Sequence, residues 1–175
     1  MTPHSLFVLG GARSGKSRYA QQRAEALAGP HVFIATAEAW DDEMRDRIAR
    51  HRADRDARWT TIDAPHQLPA AIRAQGPDTV LLVDCLTLWI SNLLLAERDI
   101  DTATSDLVAA IEAFEGMLIL VANETGMGIV PDNALARRFR DAAGRVNQAV
   151  AAAAHEVVLV VAGLPMTAKG RAVLP

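Results

Sequence analysis

Leu6-Phe7-Val8-Leu9-Gly10-Gly11-Ala12-Arg13-Ser14-Gly15-Lys16-Ser17 decides the fold class. A short run of large apolar residues breaks into a glycine-rich turn with the spacing G-x-x-x-x-G-K-S. In that pattern backbone N–H groups curl around phosphate oxygens, Lys16 supplies a cation for the β and γ phosphates, and the Ser17 hydroxyl can bind Mg²⁺. A helix candidate, Arg18 to Leu27, follows at once and adds the positive end of its dipole to the same place. Strand, glycine turn and helix in this order are the context the motif requires, so Gly10 to Ser17 is read as a phosphate cradle for ATP or GTP, with Lys16 as its catalytic cation.

Outward from this point, four more apolar runs read as buried strands: Val32 to Ala35, Thr79 to Val83, Met117 to Ala122 and Val157 to Val161. Uninterrupted Val, Leu and Ile suit a parallel sheet covered on both faces. Helical spacing lies between them, in Ile100, Ala103, Leu107, Ile111 and Phe114, and again in Leu135, Phe139, Ala142, Val146, Ala149 and Ala153. The alternation predicts an α/β protein with a mostly parallel central sheet flanked by helices, the P-loop NTPase arrangement. At 175 residues, with no repeat or linker, the chain is expected to form one domain, residues 1–175. The tail after Leu164 is expected to be loosely ordered.

Bulk composition excludes several classes. The formal net charge of -3 gives no counterion-release drive toward nucleic acid. The most apolar stretch, Val157 to Leu164, is far shorter than the roughly 20 residues of a membrane helix. The single cysteine, Cys85, has no intrachain disulfide partner, and with no secretory leader pattern at the start this predicts a reducing, cytoplasmic setting. Cys85 itself reads as a small core residue.

Three further features carry chemistry. Asp84 ends the run Thr79-Val80-Leu81-Leu82-Val83, where a carboxylate either helps to hold Mg²⁺ or caps a following helix; beside a P-loop the metal role is favoured. Asn123-Glu124-Thr125-Gly126-Met127-Gly128-Ile129-Val130-Pro131 follows a strand, at the end of an open α/β sheet where ligands bind. It reads either as a ligand loop or as a plain connection. The stretch from Glu38 to Arg58 is dominated by acids and arginines, too polar for a core-facing helix. If it is helical from about Asp41 to Arg55, Arg47 and Arg55 lie one turn either side of His51. Such a histidine can meet a polyphosphate, and the arginines favour its neutral, nucleophilic form; a solvated, salt-bridged face is the plainer reading of the residues alone. His4, His31, His66 and His155 have no comparable setting.

Together these stretches make the chain resemble the bifunctional adenosylcobinamide kinase / adenosylcobinamide-phosphate guanylyltransferase family of cobalamin biosynthesis. The resemblance rests on residues 10–18, Ile34-Ala35-Thr36-Ala37, Asp41-Asp42-Glu43-Met44 with Arg47-Ile48 and His51, Asp84-Cys85-Leu86-Thr87, Asn123 to Pro131, and Gly144-Arg145-Val146-Asn147-Gln148. It implies two reactions: phosphorylation of adenosylcobinamide by ATP or GTP, then transfer of GMP from GTP to adenosylcobinamide phosphate through a guanylyl-histidine, with release of pyrophosphate. It implies that His51 is that histidine, that Mg²⁺ takes part through Ser17 and Asp84, and that Thr36, Ala37, Glu38, Arg52, Ala53, Asp54, Arg55, Asp63 and Asp84 contact nucleotide along with Gly10, Gly11, Ala12, Arg13, Ser14, Gly15, Lys16 and Ser17. It also implies a homo-oligomer, a trimer, with the nucleotide site completed near a subunit boundary. Family members are expected to carry Glu where this chain has Asp63 and Asp84, each one methylene shorter, and some carry a second histidine where Arg50 stands. The competing readings are another P-loop small-molecule kinase and a non-catalytic nucleotide switch; the N-K-x-D guanine signature of switch GTPases is missing from the sequence.

Overall fold

The computed structural model describes residues 4–38 and 56–170. Twelve elements are assigned among the described residues, and strand and helix largely alternate, with like elements in succession at three places. They are β1 (His4–Gly10), α1 (Lys16–Glu25), β2 (His31–Ala35), β3 (Trp59–Asp63), α2 (Leu68–Arg73), β4 (Val80–Asp84), α3 (Leu86–Leu95), α4 (Ile100–Ala113), β5 (Met117–Asn123), α5 (Ala134–Ala153), β6 (Glu156–Val161) and β7 (Leu164–Lys169).

The strands form one seven-stranded sheet in the order β3-β2-β4-β5-β1-β6-β7. Every pairing is parallel except β6 with β7. Residues alternate between the two faces, and the core divides accordingly. Leu6, Val8, Phe33, Leu82, Ile119 and Val121 face α1, from which only Ala20 and Ala24 are buried. Two alanines let that helix lie close to the sheet. Phe7, Ile34, Leu81, Val83, Leu118 and Leu120 face the other way and pack against α2, α3, α4 and α5, with Trp89, Ile90, Leu107 and Val146 among the buried partners. Each fully buried Leu, Ile or Val contributes roughly 1.5–3 kcal/mol, so the second, larger cluster carries most of the apolar stabilisation, and the α1 face is left to position its loop.

Two expectations change. Leu164 to Lys169 are not loose: they form β7, which returns antiparallel along β6 through a turn at Ala162 and Gly163 with φ of 51° and 81°. All six of its residues are exposed, so the strand is held by backbone pairing and has no apolar pattern to read. The helix expected over Arg18 to Leu27 starts at Lys16 and ends at Glu25. The charged stretch around His51 lies outside the described residues.

Candidate functional site

The site is built from the carboxyl ends of the parallel strands. β1 stops at Gly10, and the chain turns through Gly11 to Gly15 with a Ser14 N–H bond to Gly11 O of 3.2 Å. Arg13 (φ 57°) and Gly15 (φ 94°) both take left-handed backbone, which glycine alone adopts freely. Gly10 is required for a different reason: a Cβ there would collide with Ser14 Oγ and stand 2.8 Å from Val160 O. The loop is stitched on two sides, by Gly163 N–H to Ser14 O (2.8 Å) and by Glu124 N–H to Gly10 O (3.0 Å). The β6–β7 turn therefore buttresses the P-loop.

Helix α1 begins with Gly15 as its N-cap, no side-chain capping bond and no acid in its first turn. Its free N–H groups and dipole thus present a positive end to an anion. Lys16 Nζ bends across the loop mouth to Gly11 O at 3.2 Å. A cation held there by a neutral carbonyl can turn to a phosphate at small cost.

Asp84 stands two strands from Gly10. Register pairs Asp84 with Val121 on β5 and with Ala35 on β2, while Ala35 also pairs with Asp63 on β3. Asp63 and Asp84 therefore share one level and the α1 face, about 10 Å apart across two strand spacings. At that spacing a single small ion would not be ligated directly by both. Thr36, fully buried, fixes the backbone after Asp84: its hydroxyl donates to Cys85 O (2.7 Å) and accepts from Cys85 N–H (2.9 Å), and Asn92 Nδ2 donates to Thr36 O (2.8 Å). Burial pushes the Cys85 thiol up to about 11, so Cys85 is a packing residue, inert as a nucleophile near neutral pH.

Glu38 meets a group that the sequence does not single out. His66 Nε2 lies 2.9 Å from Glu38 Oε1, and a cavity of about 270 Å³ opens beside them, lined by Asp63, His66, Gln67 and Arg98 among others. His66 Nδ1 is buried without a hydrogen-bond partner among the described residues. No local signal marks His66, because its partner lies 28 positions away. The loop after β5 runs beside the P-loop, with Met127, Ile129 and Val130 exposed and its end tied by Arg137 Nη1 to Pro131 O and Asp132 O. The structure thus brings together Gly10 to Ser17, Asp84 and the Asn123 to Pro131 loop, and sets Thr36, Ala37, Glu38 and Asp63 alongside. His51, Arg52, Ala53, Asp54 and Arg55 lie outside the described residues. Among the described residues no group of three or more His, Cys, Asp or Glu can hold a metal ion, and no helix is long and apolar enough to cross a membrane.

Residues 6–168 match the family model described as cobinamide kinase / cobinamide phosphate guanyltransferase. The chain belongs to this family. The bifunctional adenosylcobalamin biosynthesis protein CobP of Pseudomonas aeruginosa is 47% identical over 166 residues, covering 93% of this chain and 96% of that protein. The CobU proteins of the same description from Salmonella typhimurium and Escherichia coli are 46% and 43% identical, each over 94% of this chain and 99% of the relative. Among solved structures, a protein of Pyrococcus horikoshii superposes with a TM-score of 0.56 at 9% identity, over 97% of this chain and 88% of that one, a likeness of fold alone. The chain is therefore a transferase of the cobinamide kinase and cobinamide-phosphate guanylyltransferase family, on a P-loop-type α/β fold.

Proposed function

We propose that one nucleotide site at the carboxyl ends of β1, β4 and β5 serves both steps of this family's chemistry, within a single domain. The observation that carries it is the uncapped start of α1, with Lys16 at the loop mouth and Asp84 on the same face of the sheet. In the kinase step the γ-phosphate of ATP or GTP passes to the aminopropanol hydroxyl of adenosylcobinamide. In the guanylyl step GTP lies with its triphosphate on Gly10 to Ser17, neutral His51 attacks the α-phosphorus, and pyrophosphate leaves; the GMP then moves from His51 to the phosphate of adenosylcobinamide phosphate, giving adenosylcobinamide-GDP. Two displacements let one nucleophile serve an acceptor that arrives later.

Ser17 and Asp84 offer hard oxygen donors on one face, which fits Mg²⁺ held by one or two protein groups and the phosphates themselves. Mg²⁺ there supplies charge neutralisation of the triphosphate. Thr36 acts by fixing the chain at Asp84, Asp63 lines the cavity and Glu38 pairs with His66 beside it, and Arg52, Ala53, Asp54 and Arg55, which follow His51 in the sequence, contact the nucleotide. The exposed Met127, Ile129 and Val130 meet the corrinoid acceptor next to the P-loop. The enzyme works in the cytoplasm as a homotrimer.

The reading is tested with α-labelled GTP. The native chain becomes labelled, His51→Ala does not, and Lys16→Ala loses both labelling and cobinamide phosphorylation. Persistent labelling of the His51 variant removes that residue from the role.

A further inference from the structure

At the carboxyl end of the sheet, on the α1 side, the buried Ser14 Oγ and Asn123 Oδ1 have no hydrogen-bond partner among the described residues. Their positions are linked. Asn123 is the last residue of β5, the strand between β1 and β4, and register sets it opposite Gly10. Ser14 Oγ lies against Gly10, one strand spacing of about 4.8 Å away. Asn123 follows Ile119 and Val121 in the two-residue alternation, and both of those pack on the α1 side. It also stands two residues, about 7 Å, beyond Val121, the register partner of Asp84. Its amide thus projects past the metal-side carboxylate, between that carboxylate and the P-loop.

The backbone there is held from three sides, so the position is not a frayed strand end. Asn123 N–H donates to Thr87 Oγ1 at 2.7 Å, Asn147 Nδ2 donates to Asn123 O at 3.4 Å, and the next N–H, of Glu124, bonds Gly10 O. An amide so firmly placed and yet unpaired at its acceptor atom costs about 1–3 kcal/mol to bury. A ligand that pairs with it repays that cost.

We propose that Asn123 is a catalytic residue of the kinase step, gripping the γ-phosphoryl group and the attacking hydroxyl together. Its Nδ2 donates to a γ-phosphoryl oxygen while Oδ1 accepts from the acceptor's hydroxyl, turning an oxygen lone pair toward phosphorus. The hydroxyl oxygen forms the new P–O bond, and the bond from the γ-phosphorus to the β,γ-bridging oxygen breaks. The nucleoside diphosphate keeps that electron pair, and the hydroxyl proton, which an amide cannot retain, leaves to water. The guanylyl step places its reacting phosphorus at the α position, farther along the triphosphate, so it depends less on Asn123. This assignment rests on the P-loop reading above.

The test measures both half-reactions on the same preparations: transfer of γ-labelled phosphate to adenosylcobinamide, and self-labelling by α-labelled GTP. Asn123→Ala is expected to lower kcat of phosphorylation by roughly 10²–10³-fold, the effect of removing one fixed transition-state donor, with a smaller change in KM. Its self-labelling, which also reports correct folding, falls less than about tenfold on the same scale. Asn123→Gln, which keeps the amide but displaces it by one methylene, loses phosphorylation in the same selective way. Equal losses in both half-reactions, or undiminished phosphorylation, overturn the assignment. Lys16→Ala run in parallel separates the two claims: if it spares both reactions, the P-loop reading itself has failed.

Discussion

The two ends of the central strands are built to opposite rules. At the amino end Ser5 and His155 close on each other completely: His155 N–H donates to Ser5 O and to Ser5 Oγ, both at 3.1 Å, Ser5 N–H donates to His155 Nδ1 at 3.3 Å, and Ser5 Oγ stands 2.9 Å from the same nitrogen. At the carboxyl end, in the loop that follows β1, Ser14 Oγ is buried without a partner among the described residues, as is Asn123 Oδ1 on β5, and Arg13 and Gly15 sit in left-handed backbone. Unpaired buried groups and unusual dihedrals cost stability, and they persist where a ligand or a reaction uses them. The amino end spends its polar atoms on holding the sheet. On the proposed function, the carboxyl end keeps them for substrate.

The contrast is broken most severely if a carboxyl-end substitution damages the fold and spares the chemistry. Lys16→Ala is expected to cost several orders of magnitude in both half-reactions while leaving the midpoint of thermal unfolding nearly unchanged, since Nζ makes a single bond to a carbonyl at the loop mouth. The mirror experiment is Ser5→Ala. Loss of a buried hydroxyl and its His155 contacts is expected to cost about 1–3 kcal/mol, a drop of roughly 2–4 °C in Tm per kcal/mol for a chain of this size, with activity per folded molecule intact. A fall in kcat at unchanged Tm would contradict the division. The smallest effect is expected at Ile129, 97% exposed in the loop beside the P-loop. Ile129→Asp should raise KM for adenosylcobinamide about threefold to tenfold, in line with partial covering of one large aliphatic side chain, with self-labelling by GTP unaffected. An unchanged KM removes the acceptor from that surface.

Much of the carboxyl end is legible in the sequence, because its signals are local. Gly10 to Ser17 is contiguous, and Asp84 follows an unbroken apolar run that only a buried strand explains. What escapes is whatever depends on non-local register. β3, Trp59-Thr60-Thr61-Ile62-Asp63, is an edge strand with no fully buried residue, so it has no apolar run. α3 buries Leu86, Trp89, Ile90 and Leu93 at helical spacing alongside Thr87 and Asn92, but Leu88, Leu94 and Leu95 add apolar residues on its other sides and blur the stripe. α2 is six residues long with Pro69 at its start. β7 is exposed throughout. Asn123 is visible in the sequence as the first residue of a glycine-rich loop; its place opposite Gly10 and beyond the partner of Asp84 appears only in the pairing of β5 with its two neighbours. His66 is passed over for the same reason, since its Glu38 contact joins two loops at neighbouring strand ends.

The family match covers nearly the whole chain, and the identities of 43% to 47% extend over at least 93% of this chain and 96% of each relative. Asp63 and Asp84 lie about 10 Å apart on one face of the sheet, too far for a single ion to be ligated directly by both.

The claim at the centre of this account is that a nucleotide held by the β1–α1 loop gives up GMP to His51. The most direct measurement is the mass of the intact protein after incubation with GTP and Mg²⁺, followed by peptide mapping. The expected result is the addition of one GMP, carried on the peptide that contains His51 and missing from Lys16→Ala and His51→Ala. No addition, or an addition that survives in His51→Ala, contradicts it.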